Sequence, residues 1–122
     1  MKTKFILAAV TLAAAGPAYA HHSSAMFDQT KVETLSGTVK EFLWTNPHSY
    51  IQLMGKDATG KTVEYSMEMG APMYLYARGW RPSTLKAGMQ VTIAYHPLRN
   101  GKPGGVVTDV YGADGKPVGT NK

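Results

Sequence analysis

The chain of 122 residues contains no cysteine. That excludes disulfide staples, thiolate metal centres and a cysteine nucleophile together. Acidic residues are scarce, eight against thirteen Lys and Arg, for a formal net charge of +5. The basic side chains are scattered singly, so this excess favours solubility and argues against a nucleic-acid partner. Beyond residue 20 no apolar run is long enough to cross a bilayer as a helix. Internal repeats and an interdomain linker are likewise missing, which leaves one small domain held by its core alone.

What is present starts with an address. The opening MKTKFILAAVTLAAAGPAYA has a basic start at Lys2 and Lys4 and an apolar run over 5–15. Gly16-Pro17 breaks that run, and Ala18-Tyr19-Ala20 supplies the small residues a signal peptidase requires. Residues 1–20 therefore read as a cleavable signal peptide, which predicts a periplasmic protein beginning at His21. Loss of Lys2 and Lys4 with that segment lowers the formal charge from +5 to +3.

Residues 21–32, beginning HHSSAMFDQTK, read as a mobile arm. From Glu33 the period is two, with Leu35, Gly37, Val39, Glu41 and Leu43 alternating against Thr34, Ser36, Thr38, Lys40 and Phe42. Thr45-Asn46-Pro47 is turn chemistry, and strands are predicted over 49–54 and 63–69 on either side of GKDATGKT at 55–62. That octet matches G-x-x-x-x-G-K-T, the pattern of a nucleotide-binding P-loop. A P-loop must open a helix whose N-terminal amides face the phosphates. Here the alternation Val63, Tyr65, Met67, Met69 predicts a strand instead, so the segment reads as a hairpin loop and no nucleotide partner is expected.

Pro72 suits the first turn of a short helix, with Gly79 just past its end. Val91, Ile93 and Tyr95 mark a fourth strand, and 106–111 a fifth. The order β-β-β-α-β-β is that of an all-β, five-stranded OB-like Greek-key barrel over 33–112, followed by a flexible tail over 113–122. A plain antiparallel sandwich is the alternative. In an OB barrel the loops joining strands 1–2 and 4–5 border the ligand face. Trp44, Asn46 and Tyr50 beside the first of these loops are candidate ligand-binding residues. The tyrosines and Trp44 also offer stacking surfaces for bases, but the thin positive charge and the export signal argue against nucleic acid.

The four histidines are the candidate metal ligands: His21, His22, His48 and His96. Cleavage after Ala20 would place an α-amine on His21, so that amine and imidazole together chelate one ion. A further imidazole completes a T-shaped three-nitrogen set, which favours copper as Cu2+. His48 in TNPHSY is the candidate third donor, with His96 in AYHP or His22 assisting. Zinc would ask for a tetrahedral set. Met67, Met69 and Met73 could form a thioether cluster, yet their spacing fits a core better. Glu64 and Glu68 fall on the opposite face of the same strand, which reads as wet.

The HHS start, AMFD, LSGTVKEFLWTNPHSYIQL, EMGAP, GWRPSTLKAGMQV and HPLRNGKPGG together resemble a family of small exported proteobacterial proteins catalogued as domain of unknown function 6152. The resemblance runs from His21 to about Tyr111 and puts His21, His22, Ser23, Asn46, Pro47 and His48 among the recurring polar positions. It implies one exported domain and no particular activity. The sequence therefore predicts a binding protein rather than an enzyme, with a copper(II) site built on the new terminus. A metal-free module for a small ligand or a periplasmic protein is the second reading, and a copper oxidase or oxygenase the third.

Overall fold

The computed structural model describes residues 24–119. The predicted signal peptide over 1–20, together with His21, His22 and Ser23, lies outside them. Within them the elements are a 3-10 turn η1 (Ser24–Met26), β1 (Glu33–Leu43), β2 (Tyr50–Lys56), β3 (Thr62–Glu68), α1 (Pro72–Ala77), β4 (Gln90–Pro97) and β5 (Gly104–Gly112). The strands close into a barrel in the order β1-β2-β3-β5-β4. All ladders are antiparallel except the short parallel one between β3 and β5. This is the expected all-β barrel with one short helix between β3 and β4.

Closure depends on glycine. Gly104 lies opposite Ser66 and Gly105 opposite Met67. A Cβ on Gly104 would collide with the Ser66 carbonyl, and one on Gly105 with the His96 carbonyl. Only bare backbone lets the fifth strand slide between its two neighbours.

The interior is filled by Val39, Ile51, Leu53, Met67, Ile93 and Val110, each fully shielded. Alternation places these residues inward, but on β1 the alternation is interrupted. Val39 opposes Leu53 and Glu41 opposes Gln52, so Lys40 is an extra, bulged residue. The inward set is therefore not Leu35 through Leu43 in even steps. Beyond the bulge Phe42 and Trp44 turn inward in place of Glu41 and Leu43, and pack on the core cluster.

One end of the barrel is plugged. Pro72 opens α1 and Gly79, at φ +86°, reverses the chain after it, as the sequence predicts. Leu75 on the helix and Trp80 behind it are buried over this end, with Phe42 at 5.8 Å from the Trp80 ring. Met67 and Met69 are core residues, whereas Met73 points away from the core and is 72% exposed. A helix of six residues has one buried stripe, and Leu75 occupies it. The three methionines thus form no thioether cluster.

The segments beside the barrel are tied to it. Met26 and Asp28 exchange backbone hydrogen bonds with Arg99 and Pro97, and Phe27 is buried opposite Leu98. From Ser24 onward the expected mobile arm is thus a latch on the β4–β5 loop. The tail also folds back: the Val118 N–H donates to the Val110 carbonyl at 2.8 Å, and Val118 packs on the core. Over its described part, to Gly119, it is a strap and not a loose end.

Met67→Ala is expected to cost about 2–5 kcal/mol in urea denaturation, while Met73→Ala stays within about 0.5 kcal/mol. Equal effects at the two positions would contradict the assignment of inside and outside.

Candidate functional site

The loop between β1 and β2 carries Asn46, Pro47 and His48, with the Asn46–Pro47 peptide bond cis. The Thr45 hydroxyl donates to the His48 carbonyl at 2.7 Å and holds the turn. His48 folds back over β3, its Nδ1 3.1 Å from Glu68 Oε1. Glu68 is therefore not on a freely wet face: its side chain is 16% exposed and engaged with an imidazole. On β4, His96 Nδ1 lies 2.6 Å from the Lys31 carbonyl. Carboxylate and carbonyl oxygens are acceptors, so in both residues Nδ1 donates, and the neutral ring carries its lone pair on Nε2. Such a partner on one ring nitrogen orients the other toward a metal or a proton.

Glu68 and His96 both lie opposite Val106, in one row across β3, β5 and β4. Two strand spacings, about 10 Å, separate their backbones. His48 and His96 thus share the outer surface without meeting at one point. Among the described residues no three His, Asp or Glu side chains gather closely enough to hold an ion. A three-nitrogen copper site would need His21 or His22, which lie outside the described residues.

The other candidate ligand residues of the β1–β2 region differ in character. Trp44 is half-buried and stands edge-on to Phe42 at 5.9 Å and 79°, packed on the core cluster. Asn46 is exposed in the turn. Tyr50 sits opposite both Leu43 and Glu68, and burial, reinforced by the Glu68 charge, holds its phenol above the usual value.

The largest chemical variety lies at the barrel end opposite α1. There Glu33 stands at the exposed head of β1, followed inward by Val63 and Tyr65 on β3 and by the buried Tyr95 on β4. They line a cleft of about 500 Å³. The β2–β3 hairpin adds Asp57, and the β4–β5 loop adds Arg99 and Lys102. The hairpin is the GKDATGKT segment: the backbone N–H groups of Thr59 and Lys61 and the Thr59 hydroxyl converge on Asp57 Oδ1, and Gly60 takes φ +83°. A strand comes directly after it, and its amides turn onto a carboxylate within the loop.

The groups at this mouth are fixed by their neighbours. The Tyr95 hydroxyl donates to Glu33 Oε2 at 3.1 Å. Burial first, then that hydrogen bond, pushes the Tyr95 phenol far up. Tyr65 is pushed up by burial and by the charges of Asp57 and Glu33. Asp57 is held below the usual carboxylate range, chiefly by the Thr59 hydroxyl. Asp28, on the latch, is held low in the same way by Thr30, with Arg99 and Lys31 adding to it. Arg99 uses Nε on the Ala25 carbonyl at 3.1 Å.

Of these residues the sequence marks only Tyr65 and Tyr95 as aromatic surfaces. Glu33 carries a weaker signal: it has the same parity as Leu35, Gly37 and Val39, but it is exposed at the strand's head, where a charge is ordinary. Arg99, Lys102 and Asp57 give no such signal, because loop charges are ordinary until a loop is seen to lean over a cavity.

The raised tyrosines fix a pH dependence. An unfolded phenol ionises near about 10, and the folded ones later. Their stabilising effect is complete below that pH and is lost as pH rises through the folded value. Melting temperature should fall above about pH 10, and Tyr95→Phe should make that fall shallower. An alkaline limb of unchanged slope in the variant would contradict the placement of Tyr95.

Searches among curated proteins and among solved structures find no match. A family model does match, over residues 9–108, which takes in the β1–β2 loop, both mouth tyrosines and the β4–β5 loop. The chain belongs to the family described as "Family of unknown function (DUF6152)".

Proposed function

We propose that this is an exported binding protein which takes copper(II) at its mature N-terminus, with His96 as the imidazole supplied by the barrel. The supporting observation is the latch. Residues 26–28 are hydrogen-bonded to 97–99, close beside His96 in the chain, and Lys31 of the same segment holds His96 Nδ1. His96 Nε2 is thereby left for a ligand. Three residue steps lead from Ser24 back to His21, a reach of about 10 Å for extended chain. The His21 amine and imidazole would bring two nitrogens, and a third from His96 completes the tetragonal preference of Cu(II). His48, oriented by Glu68, is the competing donor.

Copper titration of protein beginning at His21, against protein with one added N-terminal glycine, tests this reading. The native terminus should bind about tenfold more tightly, as expected for loss of an oriented ligand. His96→Ala should lose a similar factor and one nitrogen from the electron paramagnetic resonance spectrum, while His48→Ala leaves both unchanged. Equal affinity of the two termini rejects the site.

A second reading, a small-ligand module that needs no metal, is favoured by one observation: the barrel mouth is polar, open and about 500 Å³ in volume. Small-molecule sites occupy about 300–1,000 Å³ and are found at barrel mouths.

A further inference from the structure

Six charged residues line the barrel mouth, and two of them, Asp28 and Lys31 on the latch, pair with each other at 3.8 Å, with Arg99 also acting on Asp28. The other four are sorted by side. Glu33 and Asp57 stand on the flank where the head of β1 meets the β2–β3 hairpin, and both act on Tyr65 between them. Tyr95 completes that flank, its hydroxyl committed to Glu33 Oε2. The opposite flank is the β4–β5 loop, which brings Arg99 and Lys102. Asp57 and Glu33 each have one carboxylate oxygen engaged, at Oδ1 and Oε2, so the other remains to receive a ligand. Arg99 has its Nε engaged, leaving the two terminal nitrogens of the fork. The Lys102 ammonium stands on an exposed stretch of loop.

A ligand of a single charge would satisfy one flank and be repelled by the other. A ligand carrying both charges a few bonds apart satisfies the two together. Paired carboxylates beside aromatic rings attract an ammonium or a quaternary ammonium through charge and ring quadrupole. A guanidinium fork receives a carboxylate by two parallel hydrogen bonds.

We infer that the barrel mouth is a binding site for a small zwitterion, an α-amino acid or a betaine. Its cationic end lies between Glu33, Asp57, Tyr65 and Tyr95, and its carboxylate at Arg99 and Lys102. Val63 and Pro103 line the cleft between the flanks and give the carbon skeleton an apolar surface. This assignment rests on the small-ligand reading of the mouth and is independent of copper.

Isothermal titration of metal-free protein carrying the added N-terminal glycine separates it from the copper site. The probes are glycine betaine and the common L-amino acids, with choline and acetate as half-ligands. At least one zwitterion should bind at least about tenfold more tightly than either half-ligand, one pairing being worth about that factor. Glu33→Gln, which keeps an acceptor for the Tyr95 hydroxyl, and Lys102→Met should each weaken it about tenfold with melting temperature unchanged. Acetate or choline binding as tightly as every zwitterion overturns the zwitterion and leaves a mouth for one charge. No binding by any probe, or binding indifferent to both substitutions, overturns the site altogether.

Discussion

The barrel closes through three residue pairs, where Ser66, Met67 and Glu68 run parallel to Gly104, Gly105 and Val106. This seam is the constraint on which the other features depend. It is short beside the antiparallel ladder of β2 with β3, and it exists only because two successive residues lack a Cβ. Bare backbone at the start of β5 draws the β4–β5 loop over the barrel end, which positions Arg99 and Lys102 at the mouth. It also sets Glu68 and His96 in one outward row around Val106.

The two barrel ends have opposite chemistry for a topological reason. The long connection from β3 to β4 carries α1 and Trp80, and supplies enough apolar surface to seal the end it crosses. The far end is crossed by a hairpin, a loop and the latch, whose polar and charged residues leave it open. The residues there range from exposed Glu33 through half-buried Tyr65 to buried Tyr95, and the hydroxyl–carboxylate bond joins the two extremes.

Element order is legible in the sequence because alternation, Pro72 and Gly79 are local signals. The accidental P-loop pattern is resolved the same way, by the two-residue period of Val63 to Met69 directly after it. The Lys40 bulge is not legible: Lys40 and Glu41 are both charged, and which one is extra depends on how β2 pairs alongside. Nor are the latch and the strap, whose main fastenings are backbone bonds to residues far along the chain. Met73 reads as a core residue by its spacing, yet a six-residue helix has room for one buried side chain, and Leu75 is better placed. Of the site, the orientation of His48 and His96 comes only with Glu68 and the Lys31 carbonyl, partners distant in sequence.

The bulge at Lys40 resets the parity of β1. Were Lys40 paired in the ladder like its neighbours, even spacing would run on from Val39 to Glu41, and the two aromatic rings that cover the Trp80 side would swing to solvent while a glutamate took their place. Deleting Lys40 alone puts Phe42 two places after Val39, so both rings keep their inward side. A single lysine outside the ladder is what lets one continuous strand serve an aliphatic middle and an aromatic end.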